Sequence, residues 1–347
     1  MRWLEAAWMG GKLVAAKLRG SAVPFHVTLY VNTGCNLRCV YCSSPDQRVS
    51  ELAASEWCSV LDELRSLGTR RVLFFGGEPL LRKDLAEIVA HARALGLRCA
   101  LGSNGTLVPE RPDVIRQLHT LTISLDGNAA AHDRNRGKGN HEEALLAIAA
   151  ARGWGVPVKV NAVLNANNAA SLEWLLDFSR RERIPITLNI MRSEDNGLWK
   201  TAARHRLEDD KLRDLIGEIL RAKRRNPRIM FSRQTYEIAR QWKDFTRDRL
   251  TDPEVGQRFL GPRCSAGRFH CAIYADGSLF PCTLTLRKVP ALNVKIAGVA
   301  AALAQARLHG CATCFNPCML DTNSLFALYP GVIASLARTY LLRTTLD

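Results

Sequence analysis

No apolar run in the sequence approaches the roughly 18 residues that a membrane-crossing helix requires. The first twenty residues, MRWLEAAWMGGKLVAAKLRG, set Glu5, Lys12, Lys17 and Arg19 among the apolar positions, which breaks the continuous apolar stretch of a secretory signal. Internal repeats and low-complexity tracts are absent, which argues against solenoids and long disordered linkers. Acidic charge is scarce: 33 Asp and Glu face 48 Lys and Arg, a net charge of +15. Such an excess attracts acidic partners, nucleic acid or anionic lipid, and an arginine-rich composition alone also produces it. The remainder, 347 residues with 47% apolar and 23% charged side chains, reads as a globular chain with an expected cytoplasmic location.

Strand-like and helix-like segments alternate between residues 24 and 192. The strand candidates are 24–31, 70–75, 97–102, 121–125, 157–164 and 185–191, short runs rich in β-branched or aromatic residues and bounded by Gly, Asn or Pro. Helical periodicity fills the gaps at Ser55 to Leu67, Lys83 to Leu95, Pro112 to Leu118, His141 to Arg152 and Ser171 to Glu182, with Ser55 as the expected N-cap of the first. Six βα units predict an α/β fold whose ligands sit at the carboxyl ends of the strands. The expected divisions are an amphipathic helix over 1–23, the βα region over 24–206, a helical linker over 207–260, a small Cys-rich domain over 261–320 and an amphipathic tail over 321–347. Residues 193–206 read as a loop. The stretch 221–228 reads as the solvated basic end of a helix that starts at Leu207.

Against these absences stand eleven cysteines, an odd number. In a reducing compartment such clusters read as metal ligands or catalytic thiols before disulfides. Cys58 and Cys99 fall on a helix and a strand and are expected to be small buried residues. The other nine form two groups. Cys35, Cys39 and Cys42, in CNLRCVYC, follow the first strand as C-x3-C-x2-C. Three thiolates on one loop suit three corners of a cubane iron–sulfur cluster, and leave one iron open to a small molecule. A structural zinc prefers four ligands, usually from two C-x2-C pairs, and fits poorly.

CNLRCVYC after the first strand, with Gly76-Gly77-Glu78-Pro79 after the second, closely resembles the radical S-adenosylmethionine (radical SAM) enzymes. The resemblance implies a partial (β/α)6 TIM-like barrel and a [4Fe–4S] cluster on Cys35, Cys39 and Cys42. S-adenosylmethionine would chelate the open iron and be cleaved reductively to a 5′-deoxyadenosyl radical that abstracts a substrate hydrogen. It further implies that Glu78, with the backbone of Gly76 and Gly77, receives the cofactor's amino group. Ser124 and Asp126 are placed near its ribose or carboxylate, Asn104 nearby, Arg136 rather than Arg134 facing the carboxylate, and Tyr41 near the adenine. The fifth strand end, Asn161 to Asn165, lacks the family's glycine-rich adenine motif.

The second group, Cys264-x12-Gly277-x4-Cys282 and then Cys311-x2-Cys314-x3-Cys318, resembles the auxiliary-cluster extension called SPASM or, when shortened, twitch. The full pattern has a longer final cysteine run and one more cysteine downstream, so the resemblance implies one auxiliary [4Fe–4S] cluster. Cys264, Cys282, Cys311 and Cys314 are its expected ligands, with Cys271 and Cys318 as alternative or supplementary ones. A four-thiolate zinc is the competing reading. An Asp276-Gly277 turn between apolar arms predicts a hairpin from Cys271 to Cys282.

The resemblance implies an oxidoreductase or maturase acting on a peptide or small natural-product substrate, served by a flavodoxin- or ferredoxin-type electron donor. With only about 25 residues before the barrel, cobalamin-dependent methyl transfer is disfavoured. Activation of a glycyl-radical enzyme is also disfavoured. RNA modification is suggested by the charge, but no appended RNA-binding module is recognisable, and nucleic acid is not the expected partner. Modification of a membrane lipid is a further alternative, with the tail and Trp3 and Trp8 in peripheral contact with anionic lipid. The non-enzymatic alternative is an iron–sulfur electron carrier or scaffold, which would have no use for GGEP and the polar strand ends.

Overall fold

The computed structural model describes residues 2–194, 198–199, 201–255 and 261–335. The six apolar segments form β1 (His26–Tyr30), β2 (Arg71–Phe75), β3 (Arg98–Ser103), β4 (Thr120–Ser124), β5 (Val158–Leu164) and β6 (Ile186–Ile190). They pair in chain order, all parallel. Helices Ala54–Ser66, Leu85–Ala94, Pro112–Ile115, Asn140–Gly153 and Leu172–Arg181 occupy the intervals, because parallel neighbours need a crossover long enough to hold one. The first begins one residue ahead of Ser55. Ala53 is its N-cap, and the Ala53 N–H donates to Glu56 Oε2 at 2.8 Å.

Five further strands complete the fold: β7 (Arg249–Thr251), β8 (His270–Ile273), β9 (Ser278–Phe280), β10 (Leu292–Asn293) and β11 (Cys311–Cys314). β8 adds in parallel to the free edge of β1, and β9 and β10 follow it antiparallel. One nine-stranded sheet results, in the order β10-β9-β8-β1-β2-β3-β4-β5-β6. The Asp276-Gly277 turn joins β8 to β9, so the Cys-rich segment shares the barrel's sheet. β11 pairs antiparallel with β7 in a separate two-stranded sheet.

Alternation along the strands divides the two faces. Val27, Leu29, Val72, Phe74, Cys99 and Leu101 pack outward against helical Trp57, Leu61, Leu64, Ile88 and Val89 in one buried core. The residues between them turn to the other face, which carries the polar Thr28, Thr122, Asn161, Thr187 and Asn189 beside apolar Leu73, Ala100 and Val163. Cys99 is buried as expected; Cys58 is only half-buried on its helix.

Helix Arg2–Leu18 precedes the barrel, and its Leu13 and Ala16 pack with Phe25, Phe269 and Phe326. Helices Asp209–Lys223, Arg233–Arg240, Val294–Ala306 and Pro317–Phe326 flank the C-terminal segment. Among the described residues no helix is long and apolar enough to cross a membrane. The tail expected to be amphipathic lies partly outside the described residues (336–347), as do 195–197 and 200 of the loop after β6 and the side chains of Trp3 and Trp8.

Candidate active site

Cys35, Cys39 and Cys42 lie on the loop after β1, at the carboxyl end of the sheet, and all eleven cysteines are free thiols. The loop turns so that the three sulfurs act on one another electrostatically. Burial pushes the Cys35 thiol up to about 11 and the Cys42 thiol to about 12. It raises Cys39 as well, with the Arg136 guanidinium beside it working in opposition. Donors point at these sulfurs nonetheless: the Leu37 N–H at Cys35 and the Ser44 N–H at Cys42, each at 3.5 Å, and Asn104 Nδ2 at Cys35 at 4.0 Å. Donors aimed at sulfurs too buried to ionise alone suit thiolates neutralised by bound metal, so the donor set fits an iron–sulfur cluster.

GGEP follows β2, directly beside that loop. A Cβ on Gly76 would lie 2.2 Å from Asn32 Oδ1, and one on Gly77 would lie 2.1 Å from the Gly34 carbonyl. These glycines therefore let two strand-end loops meet, a packing demand distinct from the ligand approach expected of them. Glu78 follows the two glycines at the end of β2. Its carboxylate is fully buried and accepts from Ser103 Oγ at 3.0 Å, the Asn104 N–H at 2.8 Å and the Leu80 N–H at 3.2 Å. Burial raises its pKa to about 7 against those three donors. Through these bonds Glu78 clamps the end of β2 to the end of β3 and sets Asn104 beside Cys35.

The other expected cofactor contacts converge after β4. Asp126 is fully buried and accepts from Tyr41 Oη at 2.7 Å, from Arg136 Nε at 2.8 Å and from the Val163 N–H at 3.1 Å. Burial favours its neutral acid, but the Arg136 guanidinium overrides that and holds the carboxyl below its ordinary value. Arg136 lies over the Tyr41 ring at 5.8 Å, and that ring stacks on Trp199 at 5.3 Å. Tyr41, Asp126 and Arg136 thus form one unit at Cys39. The Arg136 guanidinium pairs with Asp126 through both Nε at 2.8 Å and Nη2 at 3.3 Å. Ser124 ends β4 in register with Asn161 and is half-buried.

Two contributors were not foreseen. Arg136 stands on a helix, Ala129–Arg136, in a stretch to which the sequence reading assigned no element; Asn128 caps it by accepting from the Ala131 N–H at 3.0 Å. Its polar face, not an apolar stripe, fixes it to the sheet: His132 Nδ1 accepts from the Asp126 N–H at 3.1 Å, and Asn135 meets Asn167 at 3.0 Å. Trp199 lies beyond β6, and only tertiary folding brings it to Tyr41.

The C-terminal cysteines separate cleanly. Cys264, Cys282, Cys311 and Cys314 line one cavity, with Arg249, His270, Leu284, Thr285, Met319 and Asn323. Cys264 comes from the loop before β8, Cys282 from the end of the β8–β9 hairpin, and Cys311 and Cys314 from the two ends of β11. Cys271 is not among them: it faces outward from β8 into the main core, where burial raises its thiol to about 12. Cys318, on helix Pro317–Phe326, packs against the same core and also lies outside the cavity lining. The Cys264 thiol hydrogen-bonds Cys311, which lowers the Cys311 pKa and raises that of Cys264. Four thiols on an enclosed, largely apolar cavity fit a four-thiolate cluster. Among the described residues no three His, Cys, Asp or Glu side chains are set to hold a single metal ion.

A latch joins this cavity to the barrel. Arg192, just after β6, bonds Asp248 through Nε at 3.1 Å and the Leu284 carbonyl through Nη2 at 3.0 Å, and both charged side chains are buried. Asp248 also accepts from the backbone N–H groups of Ser193 and Glu194.

Residues 29–178 match the Radical SAM superfamily. Fe-coproporphyrin III synthase of Methanosarcina barkeri is 34% identical over 158 residues, 44% of this chain and 40% of that protein. PqqA peptide cyclase of Xanthomonas euvesicatoria pv. vesicatoria is 37% identical over 169 residues, 44% of this chain and 45% of that protein. The matched stretches thus span under half the length of these relatives. Among solved structures, Streptococcus suis SuiB bound to S-adenosylmethionine superposes with a TM-score of 0.65 at 17% identity, over 89% of this chain and 73% of SuiB, a likeness of fold. Family match, cysteine motif and partial barrel coincide on one stretch of chain, and residues 29–178 form a radical SAM superfamily domain.

Proposed function

We propose that this chain is a radical SAM enzyme that abstracts hydrogen from a peptide substrate, with an auxiliary [4Fe–4S] cluster in its C-terminal cavity. The observation that carries the reading is the pair of thiol sets, three on the loop after β1 and four around one cavity. When bound, the first cluster and S-adenosylmethionine supply a 5′-deoxyadenosyl radical by one-electron reductive cleavage of a sulfonium C–S bond. Cys35, Cys39 and Cys42 would hold that cluster, and Cys264, Cys282, Cys311 and Cys314 the auxiliary one.

The remaining residues position and exclude. Glu78 holds β2 to β3 and sets Asn104, whose amide points at the Cys35 sulfur. Asp126 orients Arg136 and Tyr41 at Cys39, so a positive charge stands beside a thiolate. Trp199 covers Tyr41 and keeps water from that side. The latch from Arg192 to Asp248 keeps the cavity in fixed relation to the strand ends.

A peptide substrate is supported by the likeness to PqqA peptide cyclase; the likeness to Fe-coproporphyrin III synthase supports a tetrapyrrole as the alternative small molecule. The electron donor in this reading is a flavodoxin or ferredoxin. The test is anaerobic incubation of reduced, reconstituted protein with S-adenosylmethionine, followed by product analysis. Slow release of 5′-deoxyadenosine without substrate is expected. A short peptide encoded beside the gene should accelerate it. S-adenosylhomocysteine or methylthioadenosine as the sole product would leave an iron–sulfur transferase instead.

A further inference from the structure

The four-thiol cavity is walled by apolar and neutral groups with one exception. His270 is held neutral, because burial lowers its pKa to about 4, and its Nε2 meets Asn323 Oδ1 at 3.2 Å. Leu284, Thr285, Met319 and Asn323 carry no charge. Arg249 alone among the lining residues brings a permanent one, since guanidinium does not deprotonate in proteins.

Its placement follows from strand pairing. Arg249 stands directly opposite Cys314 in the β7–β11 ladder, so both side chains leave the same face, toward the cavity. The guanidinium acts electrostatically on Cys311 and Cys282 as well. Glu194 holds it: Arg249 Nε donates to Glu194 Oε2 at 3.1 Å, and Lys288 Nζ approaches the same oxygen at 3.8 Å. Glu194 is anchored in turn, because its Oε1 accepts from the Asp248 N–H at 3.1 Å and its own N–H donates to Asp248 Oδ2 at 3.1 Å. The charge facing the cavity is therefore adjustable by design: a cation at the thiols, with a carboxylate behind it that partly neutralises it.

We propose that Arg249 sets the reduction potential of the auxiliary cluster and that Glu194 moderates it. The inference rests on the auxiliary-cluster reading above. A cluster held by four thiolates is anionic and becomes more so on accepting an electron. A fixed cation in a weakly polar wall therefore favours the reduced form, and a carboxylate behind the cation opposes it. Arg249 does not ligate the cluster and is a positioning and tuning residue. Nature has left it a quarter exposed, where an electron partner or substrate reaching the cavity would also meet it.

The experiment compares wild type, Arg249→Met, Arg249→Lys and Glu194→Gln, each full-length and reconstituted anaerobically. Iron content is measured first, and the auxiliary cluster is then titrated by electron paramagnetic resonance against solution potential. Arg249→Met should lower the reduced-to-oxidised ratio at a fixed potential about tenfold, equivalent to about 59 mV for one electron. Glu194→Gln should shift it the opposite way, and Arg249→Lys should stay near wild type because the charge is kept. An unchanged potential in Arg249→Met, with the cluster retained, overturns the proposal. If Arg249→Met loses its cluster, the Glu194→Gln titration decides alone, and a downward or absent shift there rejects it. A wild-type iron content near half of that expected for two clusters would instead remove the auxiliary cluster itself, and with it both readings.

Discussion

The two thiol sets solve different problems in different ways. Cys35, Cys39 and Cys42 come from eight consecutive residues of one loop and stay half-buried at the strand ends. In the proposed reading three ligands would leave a coordination position for an exogenous molecule, and half-burial would let that molecule arrive. Cys264, Cys282, Cys311 and Cys314 are gathered from three segments spread over some fifty residues, brought together by a hairpin and a two-stranded ladder, and enclosed. Four ligands leave no vacancy, which suits electron transfer. The difference teaches that an open site is written locally, where a loop is enough, whereas a closed one needs tertiary structure to shut it.

The largest expected effect separates the two sets by chemistry. Changing Cys35, Cys39 and Cys42 together to Ala should abolish 5′-deoxyadenosine release, read by chromatography. Cys264→Ala or Cys282→Ala should leave substrate-free release standing and abolish substrate turnover. Loss of both activities in Cys282→Ala would collapse the distinction into a single coupled centre.

Next in size is the support beneath the open site. Arg136→Leu would leave Asp126 charged and buried without its partner, a loss of about 3–5 kcal/mol in urea unfolding. The double change Asp126→Asn with Arg136→Leu should recover part of it. A double variant no more stable than Arg136→Leu would show that the pair is not coupled.

Glu78 offers a pH test of the clamp. Its native pKa of about 7 lies above the ordinary carboxylate value of 4.5, so the folded state binds the proton more tightly. The contribution to stability is then full below pH 4.5 and is lost as pH rises through 7. Between those limits wild type should lose about 3 kcal/mol relative to Glu78→Gln. Parallel stability curves for the two proteins would contradict the burial assigned to Glu78.

The smallest effect concerns the cysteines left out. Cys271→Ala and Cys318→Ala should each keep the full iron content, at a stability cost of about 1 kcal/mol for lost packing. Iron loss in either would return it to the ligand set and blur the line between core and cavity.

The contrast also explains what could be read from the sequence. The six strands were legible to within two residues because alternation and Gly, Asn or Pro boundaries are local signals. The three-thiol loop was legible for the same reason. Helix Ala129–Arg136 was not, since it binds the sheet through His132, Asn135 and Arg136 and carries no apolar stripe for periodicity to detect. The four cavity cysteines could be proposed from resemblance, but only the fold excludes Cys271, whose strand parity turns it outward once β8 has joined β1. The clamp made by Glu78 was not legible, because only the fold brings its three protein donors, Leu80, Ser103 and Asn104, to the carboxylate.

The central claim, one open and one closed cluster site in this chain, is tested most directly by counting iron in anaerobically reconstituted wild type and in the Cys35, Cys39 and Cys42 triple Ala variant. The account predicts about eight irons per chain in wild type and about four in the variant, with the remaining cluster's spectrum unchanged. About four irons in wild type together with a tightly held zinc would contradict it.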